Sequence, residues 1–372
     1  MKKILQLSAV HDWGGGGNHI ENLCHELKKL EPELENIVVV ARNGDFHNRL
    51  KAQRNISYRT LPLAFNLDPR AIFRIISICR EEKIDLIHLH GPTSIALAVI
   101  ADQFYDLPPF VFSKKTSFPI RGRKRTLYKY NYPKIKKILC VSEATREVAL
   151  RALRGQDHVE VVYHGTRMDN KNGPAAFSLR ANLDIPPDKK VVGNIANHIE
   201  AKDLETFIRT AAYLIHDLGQ EIHFIQIGKP GRCSSSLRKL ARSLGVSDHI
   251  SFLGYLPEAW NFIPQLDMML LTSKNEGVPQ VIYEAFYHGV PVVSTRAGGI
   301  PEVIIHGENG LLCEIRDHQA LAKNLLFLSQ NPEVIPNFAR ISRERLLTQF
   351  TSERMARKTL EAYKKVIDEG HN

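Results

Sequence analysis

Short apolar runs rich in β-branched residues alternate along the chain with longer segments whose apolar positions recur every three to four residues, the pattern of βα units around parallel sheets. In the first half this predicts strands over residues 4–10, 37–41, 84–90, 110–113, 138–142 and 159–163, with helices over 20–30, 69–82 and 143–153. Ile20, Leu23, Cys24, Leu27 and Leu30 form one helical stripe, and Ser142 stands as an N-cap before Glu143. Between 164 and 190 the periodicity stops, and Gly165, Gly173, Pro174, Pro186 and Pro187 mark a polar linker. A second series then predicts strands over 191–196, 222–228, 250–253, 268–272 and 290–295, and helices over 204–218, 235–244 and 279–288. From Pro332 the tail reads as helices, the last carrying its stripe over 356–367. The reading is two βα domains in tandem, without a short-period repeat.

A length of 372 residues agrees with two domains at about 150 residues each. Hydrophobic residues at 43% and charged residues at 24% exclude a disordered or fibrous chain. Lys and Arg number 50 against 40 Asp and Glu, a net charge of +10 that invites a nucleic-acid reading. Yet residues 114–137 hold ten basic residues and no acid, so the remainder balances at 40 against 40. The excess is one local patch, interleaved with Phe118, Tyr128, Tyr130 and Tyr132; it suits an anionic membrane surface or anionic acceptor better than single-stranded nucleic acid. Five singly scattered cysteines give neither a zinc pattern nor a disulfide framework and fit the reducing cytoplasm. The amino terminus starts like a signal peptide, but Gln6, His11 and Asp12 interrupt it, and a first strand explains it better. No run approaches the roughly 18 apolar residues of a membrane span.

In open parallel sheets ligands bind beyond the carboxyl ends of strands. One motif there is Asp12-Trp13-Gly14-Gly15-Gly16-Gly17-Asn18-His19, where glycines admit a close ligand and a helix N-terminus faces an anion. It fails as a dinucleotide fingerprint, because His19 stands where the third glycine belongs, and as a P-loop, for want of Gly-Lys-Ser/Thr. Read without further context, it is equally a strand–helix turn. The second motif runs from Asn275 through Glu276-Gly277-Val278-Pro279-Gln280 and Glu284 to His288-Gly289 and Ala297-Gly298-Gly299-Ile300-Pro301-Glu302. Pro279 suits a first helical turn and Gly289 a helix end. Glu276 at the helix mouth and Glu284 on its flank suit hydrogen bonds from vicinal hydroxyls, with the helix N-terminus toward phosphate; a capping acid beside a solvated helix acid fits the bare spacing as well. His88 and His90 share one face of their strand. As metal ligands they lack further partners; a packed His88 and a His90 reaching a ligand at the strand end fit better.

Residues Glu276 to Glu302 resemble the nucleotide-sugar signature of family 4 glycosyltransferases, retaining enzymes of the GT-B fold. The resemblance extends over nearly the whole chain. Gly14–His19 is similar to the family's amino-terminal glycine loop, Asp85-Leu86-Ile87-His88-Leu89-His90 to its Asp-x-x-His-x-His strand, Val141-Ser142-Glu143 to a common strand end, and His164-Gly165 to the Asn-Gly before its linker. Gly193 to Asp203 resembles the loop carrying an Arg and, five positions on, a Lys; Lys202 occupies the Lys place and Asn197 the Arg place. A family histidine after the fourth strand is replaced by Lys114-Lys115-Thr116-Ser117.

The implied fold is α/β GT-B, two facing Rossmann-like domains with a cleft between them. Residues 1–166 would form the acceptor side, 167–352 the nucleotide-sugar side, and a terminal helix over about 353–372 would pack back on the first. By the same resemblance Lys202 holds the donor diphosphate, Glu276 the sugar hydroxyls and Glu284 the ribose, with N–H groups of Gly277, Val278 and Gln280 toward sugar and phosphates. Gly15, Gly16 and Asn197 would touch the donor, and Gly228, Tyr255 and Leu256 would flank its base. The expected catalytic set is Glu276, Lys202 and His90; Lys114, Lys115, Arg121, Arg123, Lys124 and Arg125 would meet the acceptor or membrane. A helix dipole and Lys202 supply the charge stabilisation that transfer requires, so no metal or other cofactor is expected, and no Asp-x-Asp motif is present. The implied function is retaining transfer from a nucleotide sugar, UDP favoured over GDP, to a glycan or lipid-linked acceptor in surface polysaccharide or lipopolysaccharide assembly. Its setting is the cytoplasm or the inner membrane face, without nucleic acid. The competing class is a non-catalytic protein of this fold that binds glycan or nucleic acid.

Overall fold

The computed structural model describes residues 2–53, 55–155, 157–169 and 173–369. In chain order the first elements are β1 (Lys3–Ser8), α1 (Gly15–Leu30), β2 (Glu35–Ala41), α2 (Asp45–Gln53), β3 (Ser57–Leu61), α3 (Pro69–Glu82), β4 (Leu86–Leu89), α4 (Pro92–Asp102), β5 (Phe110–Lys114), α5 (Lys124–Tyr130), β6 (Ile135–Cys140), α6 (Glu143–Leu150) and β7 (Val159–Val161). There follow α7 (Leu179–Asn182), β8 (Lys190–Ile195), α8 (Leu204–Ala212), β9 (Ile222–Ile227), α9 (Ser234–Ser243), β10 (Ile250–Gly254), β11 (Met268–Leu271), α10 (Gln280–Tyr287), β12 (Val292–Thr295), α11 (Ile300–Val303), β13 (Leu311–Cys313), α12 (His318–Gln330), α13 (Ile335–Gln349) and α14 (Ser352–Glu369).

These elements form two compact units, residues 1–166 with 350–372 and residues 167–349. In the first, the parallel strands run in the order β3-β2-β1-β4-β5-β6-β7. Side chains alternate across a strand, so one sheet face takes Leu5, Leu7, Ile87 and Leu89 against Ile75 of α3 and Ile95 of α4. The other face takes Ile4, Leu86, Val111 and Leu139 against Leu23 and Leu27 of α1 and Met355, Leu360 and Tyr363 of α14. Burial on both faces is why these strands read as continuous apolar runs. In the second unit the parallel order is β10-β9-β8-β11-β12-β13, with Val192, Phe224, Leu270 and Val293 packed against Phe207 of α8 and Leu325 of α12. Chain order reverses direction at the β1/β4 pair in one sheet and at β8/β11 in the other. Such switch points open a crevice at the strands' carboxyl ends.

The architecture departs from the sequence reading in identifiable places. The first strand stops at Ser8, and the Ala9 N–H donates instead to Ser94 Oγ (3.0 Å). Helix α1 starts at Gly15, so most of the glycine motif is its first turn, closed by the Asn18 N–H on the Gly14 carbonyl (3.0 Å); glycine's low helix propensity hid this. Helix α2 with β3, helix α4 and the three-residue β13 add to the elements expected. Helix α4 is apolar on nearly all sides and so shows little periodicity. Pro279 is extended and precedes α10 rather than entering its first turn. Residues 350–352, expected in the second domain, belong to the first unit: the Thr166 N–H donates to the Phe350 carbonyl (3.3 Å), and Ser352 Oγ lies 3.2 Å from Glu26. A side chain at Gly165 would meet the Thr351 carbonyl at 2.2 Å, which explains the glycine there. The expected linker contains the short α7, its residues 170–172 lie outside the described residues, and so do 370–372 of the terminal helix.

Candidate functional site

In the second unit the chain leaves β8 through a loop that the neighbouring strand ends hold in place. The Thr272 hydroxyl lies 3.0 Å from the carbonyls of both Lys202 and Asp203, and the Lys274 N–H donates to the Ala201 carbonyl (2.8 Å). Asp203, in the left-handed region (φ 45°), accepts from Thr206 Oγ1 (2.8 Å) and pairs with Lys274 (3.2 Å). This framework delivers Lys202 Nζ to Glu276 Oε1 at 2.5 Å, and Ser273 Oγ donates to the same oxygen at 2.8 Å. Lys202 follows β8 and Glu276 follows β11, so the pair stands at the switch point, just before α10. Gly277, Val278, Gln280 and Glu284 are buried around that helix start, and the Gly299 N–H on the Gly277 carbonyl (2.9 Å) fixes the loop.

Other expected donor contacts have mixed placements. Asn197 Oδ1 accepts the Lys229 N–H at 3.0 Å, so this side chain staples the β8 loop to the end of β9. Gly228 is tied to backbone packing, since a side chain there would lie 1.9 Å from the Ala196 carbonyl. Tyr255 is exposed and Leu256 half-buried after Gly254, which adopts φ 72°.

In the first unit the structure gathers residues that sequence reasoning kept apart. Gly15 and Gly16 are exposed, and side chains placed at Gly14, Gly15 or Gly16 would meet open space. Lys115 Nζ donates to the Gly16 carbonyl at 3.2 Å. Behind it lie four buried histidines. His19 Nδ1 is 2.8 Å from His164 Nδ1, while the ring centres of His19 and His90 are 5.8 Å apart and those of His90 and His88 are 4.0 Å apart. His88 uses both nitrogens, toward Tyr363 Oη (2.6 Å) and Ser113 Oγ (2.7 Å). His90 is buried, with Nε2 on Gln6 Oε1 (2.7 Å). Burial, with the charge of Lys115, holds all four imidazoles below their ordinary range, His164 down to about 3. Burial likewise pushes the Lys115 ammonium down to about 7.

The basic segment is not one surface patch. Lys114 is buried, donates to the carbonyls of Thr116 (2.6 Å) and Phe118 (3.1 Å), and is pushed by burial down to about 8, which corrects its assignment to an acceptor or membrane surface. Successive strand residues point to opposite faces, and Lys115 turns to the glycine loop instead. Lys134 pairs with Asp102 and Asp106, and Lys137 with Glu160. Arg121, Arg123, Lys124 and Arg125 are exposed around the start of α5, near the exposed Phe118 and Tyr128 in sequence. Sequence reasoning gave no role to Ser273, or to His19 beyond marking a motif mismatch; the available signal was their position just beyond β11 and β1.

A family model described as "Glycosyl transferases group 1" matches residues 177–345, and one described as "Glycosyltransferase Family 4" matches residues 13–170. The chain is 29% identical over 194 residues to N-acetyl-alpha-D-glucosaminyl L-malate synthase of Bacillus anthracis, covering 52% of this chain and 50% of that protein. It is 32% identical over 174 residues to the lipopolysaccharide core biosynthesis glycosyltransferase LpsE of Rhizobium meliloti, covering 47% and 49%. The alignments thus span about half the length of these curated relatives. Among solved structures, HepE of Anabaena in complex with UDP and glucose matches with a TM-score of 0.84 at 20% identity, over 98% of this chain and 100% of that one. That match shows the GT-B fold.

Proposed function

The chain belongs to the family 4, group 1 glycosyltransferases, and on that premise we propose that it transfers a sugar from a nucleotide-sugar donor to a hydroxyl of a glycan or lipid-linked acceptor. The observation that carries this reading is the Lys202–Glu276 pair at the β8/β11 switch point, beside the N-terminus of α10. Lys202 and the helix dipole face the donor diphosphate, whose growing negative charge they stabilise as it leaves. Glu276 accepts from donor-sugar hydroxyls and Glu284 from the ribose. The acceptor oxygen forms a bond to the anomeric carbon as the bond to phosphate breaks. The departing diphosphate takes the electron pair, and one of its oxygens takes the acceptor proton. This route retains anomeric configuration and assigns the charge stabilisation to protein groups rather than a metal.

A UDP-sugar is the proposed donor and surface polysaccharide or lipopolysaccharide assembly the proposed setting; the named relatives and the UDP complex of HepE support both. The proposed location is the cytoplasmic face of a membrane, with Arg121, Arg123, Lys124 and Arg125 toward anionic headgroups. Among the described residues, no helix is long and apolar enough to cross a membrane. Thermal-shift screening of UDP-, GDP- and ADP-sugars, followed by hydrolysis and NMR of the product anomer, tests the reading. UDP-sugar stabilisation with turnover and a retained anomer is expected. Binding without turnover would favour the non-catalytic class, for which Asn197 in the Arg place and the replaced histidine are the motivating features, and an inverted product would remove the proposed mechanism.

A further inference from the structure

We infer that His198 is a positioning residue for the donor nucleotide: its imidazole ties the turn after β9, from Gly228 to Ser234, to the loop after β8, and through that turn it sets the seat of the base. The role rests on the proposed donor site; the hydrogen-bond chain that performs it does not.

The chain is built from groups of fixed polarity. Gln226, on β9 and 0% exposed, uses Nε2 twice as a donor, to the carbonyls of Ala196 (2.6 Å) and Ile227 (3.1 Å), which leaves Oε1 as its acceptor. His198 Nε2 lies 2.6 Å from that oxygen and therefore carries a proton. In the neutral ring Nδ1 then holds the lone pair, and Ser234 Oγ, 2.7 Å away, donates its single hydrogen to it. The same hydroxyl oxygen accepts the Gly231 N–H at 2.8 Å. One line of donors thus runs from the Gly231 N–H through Ser234, His198 and Gln226 to the Ala196 carbonyl, next to Asn197. His198 is 3% exposed and both its ring nitrogens are used, so the chain is satisfied throughout, and a satisfied buried network holds its members in one arrangement.

Main-chain contacts close the same joint. The His198 N–H donates to the Lys229 carbonyl (3.0 Å), and Cys233 Sγ lies 3.2 Å from the His198 carbonyl. A side chain at Gly231 would lie 2.2 Å from that carbonyl, so the turn approaches the β8 loop backbone to backbone. On its other side the Gly228 N–H donates to the Gly254 carbonyl (2.8 Å), which extends the tie to the turn before Tyr255. Phe252 of β10 meets the His198 ring edge-on at 6.0 Å. Both segments proposed to flank the base are therefore referenced to His198. Lys202, further along the β8 loop, is held separately, by Thr272 through its carbonyl and by Glu276 through its ammonium. Seat of the base and contact to the diphosphate are thus two joints. Damage to the first weakens every uridine nucleotide alike, and damage to the second weakens them according to their phosphates.

Calorimetric titration of the full chain with UDP and with UMP, at constant ionic strength, tests the assignment. His198→Leu and Ser234→Ala should each weaken both nucleotides about tenfold and equally, through lost buried hydrogen bonds. Lys202→Ala should weaken UDP more than UMP, and Ser234→Thr, which keeps the hydroxyl, should bind both as the parent does. In the unmodified protein, 15N-histidine NMR should show His198 protonated at Nε2 and bare at Nδ1, with both resonances moving when UMP binds; this readout needs no variant to fold. The Nδ1–H tautomer, unchanged affinities in His198→Leu and Ser234→Ala, or a loss for UDP that UMP does not share would each overturn the role. A parent chain that binds neither nucleotide would remove the proposed donor site and this inference with it, whereas a parent that binds both, with variants that bind them equally well, would remove this inference alone.

Discussion

The Lys202 ammonium and the Glu276 carboxylate neutralise each other across 2.5 Å, and Ser273 donates to the same carboxylate oxygen. Each is therefore held in place before a donor arrives, and a nucleotide sugar would add an anion for Lys202 and hydroxyls for Glu276. Glu276→Ala and Lys202→Ala should each lower transfer by about two to four orders of magnitude, the range for lost charge stabilisation in a transition state. Circular dichroism should be unchanged, while the melting temperature should fall, because Lys202 and Glu276 are only 23% and 12% exposed and each variant leaves the other charge unpaired. Retained turnover in both variants would remove the donor-site assignment.

Asn197 stands where the family has Arg, and its carbonyl oxygen holds the Lys229 N–H. Asn197→Arg should raise UDP affinity about tenfold through a charge-assisted contact. Loss of the staple should cost about 1 kcal/mol of stability. Calorimetric titration with UDP and urea unfolding read the two effects separately; unchanged affinity would place position 197 outside the donor site.

Stability should depend on pH through the buried histidines. Their folded values are lowered, so below about 6.5 the unfolded chain binds more protons than the native one and stability falls as pH drops. The slope reaches ~1.4 kcal/mol per pH unit for each histidine that resists protonation. Lys115, lowered from 10.5 to about 7, acts in the same direction higher up: stability rises with pH between those values. Urea midpoints at pH 5, 7 and 9 should increase in that order, and equal midpoints at pH 5 and 7 would contradict neutral burial.

Flotation with liposomes tests the exposed cations at α5. Each basic residue near an anionic surface contributes about 1 kcal/mol, so replacing Arg121, Arg123, Lys124 and Arg125 by Gln should lower partitioning about a thousandfold. The variant should keep its UDP thermal shift. Equal flotation of the parent chain on neutral and anionic lipids would assign these side chains to a solvated face.

What the sequence disclosed follows from what a local pattern can encode. The strand periodicity located most sheet positions, and the run from Glu276 to Glu284 located the loop that carries Glu276 and the helix α10 that follows it. The Lys202–Glu276 contact itself spans 74 residues and became visible only when β8 and β11 were seen as neighbours. The basic run was misleading because charge density says nothing about direction: Lys114 turns inward, Lys115 toward the glycines, and Lys134 and Lys137 toward acids elsewhere in the chain. The contact between His19 and His164 spans 145 residues and becomes visible only when β1 and β7 stand in one sheet.

The first unit is discontinuous, and this has a consequence during synthesis. Ile4, Leu23, Leu27, Leu86, Val111 and Leu139 lack their α14 partners, Met355, Leu360 and Tyr363, until that helix emerges from the ribosome, after the whole second unit. The second unit can therefore finish folding first although its sequence is made later. A ribosome stalled before residue 352 would release a nascent chain whose first sheet exposes an apolar face, a target for chaperones and proteases.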